Sequence, residues 1–153
     1  MTDPKVRATT MEDMEALQIV LEETGLFSPD LLPEMLAASE GEDGGFWLSG
    51  LVEGTAMGLC HAKPEQLTEG TWNMLALAVR PDVQGQGLGQ ALVAGAEACL
   101  RERGQRLLIV ETSGTAAYAQ ARRFYAQAGY AAEARIRDFW AAGDDKVIFR
   151  KAL

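Results

Sequence analysis

The sequence predicts a single α/β domain in which a mixed, mostly antiparallel sheet of six to seven strands carries helices on both faces. Stretches with apolar residues at helical spacing alternate with short apolar runs that are typical of strands. Two of these runs flank Glu53-Gly54, a pair of residues that favours a tight hairpin. With 153 residues, the chain has the length of one domain, so residues 1–153 are treated as one unit.

The first part of the chain predicts one strand and two helices. A short strand at residues 5–7 precedes a helix that Thr10 caps with Asp13 in a capping-box position. Gly25 ends this helix. A second helix starts at Ser28, because a proline in the first turn is compatible with a helix.

Three strands follow, at residues 46–52, 55–62 and 70–79. The third of them ends in an apolar run, Met74 to Val79, that has no polar alternation. Such a run is typical of a central strand covered on both faces. Pro81 terminates it.

The second half alternates helices and strands. Helices are predicted at residues 88–103 and 115–128, each closed by a glycine, with a short buried strand at residues 107–110 between them. Two antiparallel strands at residues 132–138 and 145–150 complete the order β-α-α-β-β-β-α-β-α-β-β.

Composition and charge exclude several functional classes. The formal net charge of −8 argues against a general nucleic-acid binder, which would carry a basic stripe. It suits either a cationic substrate or simple solubility. No apolar run is long enough to span a bilayer, and the N-terminus lacks the features of a secretory leader, so we expect a cytoplasmic protein without a membrane partner. Cys60 and Cys99 form no CxxC pair and are expected to be buried thiols.

The run from Gln84 to Gly89 is the strongest functional pattern. A strand, a glycine-rich turn and a helix start direct free backbone N–H groups at one point, where the helix dipole favours an anion such as phosphate. The run lacks the Lys-Ser/Thr of a loop that binds a nucleoside triphosphate. Its G-x-G-x-G spacing also differs from the G-x-G-x-x-G motif that binds dinucleotides. Coenzyme A is the phosphate-bearing ligand that remains.

Residues 79–89 resemble the acetyl-CoA motif of the GCN5-related N-acetyltransferases (GNAT), Gln/Arg-x-x-Gly-x-Gly/Ala, which Gln84, Gly87 and Gly89 match. Residues 123–130 are similar to the later signature of the same family, a helix with a tyrosine before its terminal glycine. The resemblance implies the GNAT fold and an N-acetyltransferase that transfers the acetyl group of acetyl-CoA directly to a primary amine. It implies no metal.

The resemblance also implies the cofactor contacts. The pyrophosphate would rest on the loop, and pantetheine would pair with the strand before it. The residues concerned are Leu77, Ala78, Val79, Gln84, Gly85, Gln86, Gly87, Leu88, Gly89 and Gln90. Arg122 and Arg123 either reach the phosphates or lie on an exposed helical face.

Two protons must move during such a reaction. Tyr125 aligns with the family's general acid for the leaving thiolate. Glu111, directly after the strand at residues 107–110, is the candidate base; the alternative is a carboxylate that caps the following turn. His61 is a weaker candidate, because a lone histidine on a strand is more often structural.

The acceptor remains open between a small-molecule amine and a peptide N-terminus. Phe139, Trp140, Asp144 and Asp145 either wall an acceptor pocket and hold a cation there or form an ordinary hairpin. The alternative to an enzyme is a CoA-binding sensor or scaffold that kept the fold. A homodimer is possible, since dimers are common for this fold.

Overall fold

The computed structural model describes residues 4–39 and 44–153. It contains one seven-stranded sheet with the strand order β1-β2-β3-β4-β5-β7-β6. The strands are β1 (Lys5–Ala8), β2 (Phe46–Val52), β3 (Thr55–Pro64), β4 (Thr71–Val79), β5 (Leu107–Ser113), β6 (Ala131–Ala141) and β7 (Asp144–Ala152). The helices are α1 (Met14–Thr24), α2 (Leu32–Ser39), α3 (Leu88–Glu102) and α4 (Ala119–Gln127). The predicted order of elements and the mixed, mostly antiparallel sheet are confirmed.

The core consists of two layers, one on each face of the sheet. One cluster joins α1 and α2 to Trp47, Leu59 and neighbouring residues of β2, β3 and β4. The other joins α3 and α4 to the opposite side of the same strands and to β5 and β7. Because successive side chains of a strand point to opposite faces, the central strands β2, β3 and β4 contribute to both layers.

Several predicted boundaries are wrong, and two of them lie near the site. The strand predicted to end at Val110 continues to Ser113, so Glu111 lies within β5 and not after it. The last helix begins later than predicted, because residues Ala116–Tyr118 form a 3-10 turn before α4. The first difference has a clear origin: pairing with β7 extends β5 through Thr112 and Ser113, polar residues that no local pattern assigns to a strand.

The pair β4–β5 is the one parallel pair among the described strands, and it is short. Its register runs from Thr71–Leu107 to Asn73–Ile109, after which the two strands separate. The separation begins beside a bulge: β3 residues His61 and Ala62 face Ala76 and Met74, which leaves Leu75 as an extra residue in β4. A bulge bends its strand and increases the local twist. The sheet therefore opens into a wedge between the ends of β4 and β5.

Helix α3 packs unusually close to β2 and β3 because two glycines face it. Gly50 and Gly58 are direct partners across these strands. A Cβ atom at Gly50 would lie 2.6 Å from a methyl carbon of Leu88, and one at Gly58 would lie 3.0 Å from Leu92. The missing side chains set the depth at which the start of α3 meets the sheet.

Asp13 connects β1, α1 and β2. Its carboxylate accepts hydrogen bonds from both terminal nitrogens of Arg7 at 2.7 and 2.9 Å, from the Thr10 backbone N–H at 3.0 Å and from Ser49 Oγ at 2.9 Å. The Thr10 bond is one of the two expected of the predicted capping box. The hydrogen bond with Arg7 is the main cause that lowers the pKa of Asp13 to about 2.

Replacement of Asp13 tests this network. We expect Asp13→Asn to lower the free energy of unfolding at pH 7 by about 2 kcal/mol, since hydrogen bonds to charged groups contribute roughly 1.5–3 kcal/mol. The folded-state pKa lies below the unfolded value of 3.8, so the contribution is present above about pH 4 and is lost as the pH falls towards 2. Denaturant unfolding at several pH values should show that the free energy of unfolding of the variant falls less steeply below pH 4 than that of the original protein. Asp30→Asn, at an exposed position, serves as the control, and equal stability of the two variants would refute the role of Asp13.

The close approach at Gly50 gives a second prediction. We expect Gly50→Ala to lower the free energy of unfolding by about 1–3 kcal/mol, the usual range for overpacking. Leu88→Ala removes the atom that the new methyl group would meet. The double variant should then lose less stability than the sum of the two single variants, which a double-mutant cycle by denaturant unfolding measures. Additive losses would show that Gly50 does not restrict the helix.

Candidate functional site

The loop between β4 and α3 presents a run of unpaired backbone donors. Among the described residues, none accepts a hydrogen bond from the backbone N–H groups of residues 85–90, and the next N–H, that of Ala91, bonds to the Gly87 carbonyl at 3.0 Å. The first N–H groups of a helix have no partner within the helix, and the helix dipole adds a partial positive charge there. The loop is therefore built to bind an anion.

Glycine is required in this loop by backbone conformation. Gly85 and Gly87 have φ angles of +82° and +85°, in the left-handed region that side chains disfavour. A Cβ atom at either position would meet no protein atom within 4 Å, so it would project into open space. That space is available to a ligand on the N–H groups, and the loop fits a phosphate-bearing molecule.

The loop forms one wall of a cavity of about 660 Å³. The end of β4 forms a second wall and α4 a third. The candidate cofactor residues that line it are Leu77, Ala78, Val79, Gln84, Gly85, Gly87, Leu88, Gly89 and Gln90; Gln86 does not. Gln84 also holds the loop against β4, since its Nε2 donates to the Val79 carbonyl at 3.1 Å.

Helix α4 contributes residues to the cavity that the sequence analysis did not select. They are Ala117 in the preceding turn, Gln120, Ala121, Phe124 and Gln127. Positions 117, 120, 124 and 127 follow helical spacing, which could have revealed a common face. Arg123 also lines the cavity, whereas Nη1 of Arg122 donates to the carbonyls of Ser113 and Thr115, each at 2.7 Å. The two arginines therefore have different surroundings: Arg123 faces the cavity, and Arg122 stabilises the turn after β5.

Tyr125 lies on α4 but outside the cavity wall. Its ring packs edge to face with Phe124 and Tyr130, with centroids 5.4 and 6.0 Å away, and it contacts Phe149. The residue is 8% exposed. Burial raises the pKa of Tyr125 above its ordinary value, and the nearby Cys60 adds to the effect. The hydroxyl is thus held in its protonated form.

Glu111 belongs to the opposite face of the sheet. Its neighbour Val110 packs in the same cluster as Tyr125, so the alternation of β5 directs Glu111 away from it. The Glu111 carboxylate accepts a hydrogen bond from Asn73 Nδ2 at 3.2 Å and lies 3.0 Å from Lys146 Nζ. Asn73 and Ile109 form the last pair before the strands separate, so Glu111 borders the wedge.

The turn after β5 is stabilised by groups other than Glu111. Thr115 N–H donates to Ser113 Oγ at 3.1 Å, and Ser113 Oγ donates to Asp144. Asp145 accepts from the Asp138 backbone N–H and lies 3.4 Å from Arg135. Of the two aspartates that were candidates for an acceptor pocket, Asp144 is thus bound to the end of β5 and Asp145 to β6. The cation beside Phe139 and Trp140 is the protein's own Lys146.

The remaining titratable groups have structural surroundings. His61 is buried and stacks on Trp47 with the ring centroids 4.1 Å apart, and its Nδ1 lies 3.0 Å from the Phe46 carbonyl oxygen. Burial raises the pKa of the Cys60 thiol to about 12, so it is neutral at physiological pH. Cys60 is buried as expected, whereas Cys99 is partly exposed. Within residues 4–39 and 44–153, no cluster of His, Cys, Asp and Glu has the arrangement of a metal site.

These features define a class of protein: a single seven-stranded α/β sheet, opened between two parallel strands, with an anion-binding helix start beside the opening. The family model described as "Acetyltransferase (GNAT) family" matches residues 12–130, and the chain belongs to this family. None of the helices in the described ranges combines the length and apolar character that a membrane span requires.

Solved structures agree with this assignment. A protein from Desulfovibrio desulfuricans assigned to the GNAT acetyltransferases is 36% identical, with a TM-score of 0.85 over 97% of this chain and 98% of that one. The ribosomal-protein-S18-alanine N-acetyltransferase of Escherichia coli is 20% identical, with a TM-score of 0.79 over 97% and 93%. An aminoglycoside 6′-N-acetyltransferase complexed with coenzyme A is 15% identical, with a TM-score of 0.81 over 97% and 96%. No curated protein sequence matches the chain at a significant level.

The glycine loop gives a prediction with a matched control. Gly87 and Gly104 stand at opposite ends of α3 with positive φ angles and open space around them. Alanine at either position should cost about 1 kcal/mol of stability, the usual penalty for a left-handed alanine. Only Gly87→Ala places a methyl group over the unpaired N–H groups. We expect it to weaken the binding of coenzyme A by roughly tenfold or more, measured by calorimetric titration, as one lost charge-assisted hydrogen bond would. Equal affinities for the two variants would show that the ligand binds elsewhere.

Proposed function

We propose that the protein transfers an acetyl group from acetyl-CoA to a primary amine while both substrates are bound. The observation that carries this proposal is the run of unpaired N–H groups at residues 85–90 beside the wedge between β4 and β5. The pyrophosphate of coenzyme A suits those donors. Its extended, amide-containing arm suits the edge of β4 beyond Asn73, because there β5 no longer pairs with the strand.

Acetyl-CoA supplies the acetyl group in activated form as a thioester. The protein then has to manage the protons of the acceptor and of the leaving sulfur. We assign the first task to Glu111, whose carboxylate borders the wedge and can accept a proton from the acceptor ammonium.

We assign the second task to Tyr125. Its hydroxyl carries a proton at physiological pH, and burial of the side chain raises its pKa further, so a proton is available for the sulfur. Glu111 and Tyr125 belong to opposite faces of the sheet. The amine adds to the thioester carbonyl to give a tetrahedral intermediate, which collapses with release of the sulfur, so the two protons are handled at separate steps and by separate groups.

The neutral state of Cys60 supports direct transfer. A thiol acts as a nucleophile in its thiolate form, and burial keeps Cys60 protonated. No covalent enzyme intermediate is therefore needed. The acceptor is a small-molecule amine or the N-terminus of a peptide, reached from the face that carries Glu111.

Thiol release from acetyl-CoA tests the proposal. We expect activity with at least one member of a panel of amino acids, polyamines, aminoglycosides and peptides. Tyr125→Phe should then lower kcat by roughly 10- to 1000-fold with little change in acetyl-CoA affinity, as expected for loss of a general acid. Tyr118→Phe, at an exposed tyrosine, is the matched control and should retain full activity.

Two results would contradict this assignment. Full activity of Tyr125→Phe would remove the tyrosine from the reaction. Tight binding of acetyl-CoA without thiol release over the whole panel would show that the protein is a CoA-binding sensor and not an enzyme.

A further inference from the structure

A charged pair covered by two aromatic rings lies on the acceptor side of the wedge. Lys146 Nζ and Glu111 Oε2 are 3.0 Å apart on neighbouring strands, with side chains 12% and 23% exposed. The same ammonium lies 4.1 Å from the centre of the Phe139 ring and 5.7 Å from that of Trp140. The two rings pack edge to face, and each residue is 47% exposed.

The pair is fixed in place from both sides. Asn73 Nδ2 donates to Glu111 and also to Glu65, at 2.9 Å, which ties the carboxylate to the point where the strands separate. Trp140 Nε1 donates to the Thr112 carbonyl at 3.2 Å, which holds the aromatic residues over β5. Glu111, Lys146 and the two rings therefore form one arranged surface, the amphoteric patch.

The charges of this patch do not suit a plain amine. An acceptor that carries only an ammonium group would have to displace Lys146 from Glu111 and leave the lysine without a partner. Asp144 is engaged by Ser113 and Asp145 by Asp138 and Arg135, so they do not supply a replacement. Separating a shielded ion pair without a new partner costs free energy.

An acceptor with an anionic group next to its amine avoids this cost. Its ammonium can replace Lys146 at Glu111, while its carboxylate takes the place of Glu111 at Lys146. The aromatic rings then contact whatever side chain the acceptor carries. We infer that the amphoteric patch binds a free α-amino acid with an apolar or aromatic side chain, in preference to a peptide N-terminus. This inference rests on the proposed acetyl transfer.

The chemistry balances with acetyl-CoA as the second substrate. The bond between the acceptor nitrogen and the acetyl carbon forms, and the bond from that carbon to sulfur breaks. The ammonium loses two protons during the reaction: one passes to the carboxylate of Glu111 and on to solvent, and the sulfur gains one as thiol. The products are the N-acetyl amino acid and coenzyme A.

The test compares three acceptors that share one side chain: phenylalanine, phenylalanine amide and the dipeptide Phe-Ala. The last two carry a neutral amide where phenylalanine has its carboxylate. We expect kcat/KM for phenylalanine to exceed that for the other two by roughly tenfold or more, the effect of one charge-assisted hydrogen bond. In Lys146→Met this preference should fall to about threefold or less, through loss of activity on phenylalanine alone.

Two controls separate recognition from structural damage. Lys5→Met, at an exposed lysine of β1, should leave the preference unchanged. Quenching of tryptophan fluorescence in the CoA-saturated protein should report tighter binding of phenylalanine than of its amide, and Lys146→Met should abolish that difference. A lysine with only a structural role would lower the activity with all three acceptors equally.

The outcomes distinguish this inference from the proposed function. Acetylation of amines or peptides without preference for the free amino acid, or an unchanged preference in Lys146→Met, overturns the inference and leaves the acetyltransferase intact. Absence of thiol release with every acceptor overturns both.

Discussion

The close contact of α3 with the sheet is the constraint on which the site depends. Gly50 and Gly58 leave room for Leu88 and Leu92, so the first turn of α3 reaches the strands at a depth that no larger residue would allow. Leu88 belongs to the same first turn as the unpaired N–H groups. The distance between α3 and the sheet therefore sets the distance between the glycine loop and the end of β4. A glycine pair in two strands of the sheet thus defines the position of a ligand that neither glycine contacts.

The second constraint is the incomplete pairing of β4 with β5. Backbone groups of a strand need partners, and most buried ones have them. Beyond Asn73 and Ile109, these two strands no longer provide partners for each other, although β3 and β7 continue to pair on their outer sides. The opening is stable because each strand keeps one complete ladder. The loss of pairing also leaves the facing edges of β4 and β5 free of each other beyond this point.

Local patterns in the sequence predict the elements and the glycine loop well. Apolar spacing, the Glu53-Gly54 turn and the glycines after Val79 act over a few residues, and the structure has the predicted order. The roles proposed for Tyr125 and Glu111 remain predictions. What the sequence analysis missed depends on contacts between distant segments. Lys146 reaches Glu111 through the register of β5 with β7, and Arg122 reaches the carbonyls of Ser113 and Thr115 only once the chain has turned. Asp144 and Asp145 were candidates for cation binding, and the sequence alone does not show that Ser113 and Arg135 engage them.

Strand β6 is exposed along its entire length, and it carries Phe139 and Trp140 at its end. The residues that hold the cosubstrate loop, by contrast, pack in the deep layers around α3. Substitutions in β6 therefore perturb little of the core, whereas substitutions around α3 perturb much of it. Under selection, the two parts of the molecule are free to change at different rates. Descendants of such a chain can vary one outer strand while inheriting the same glycine loop.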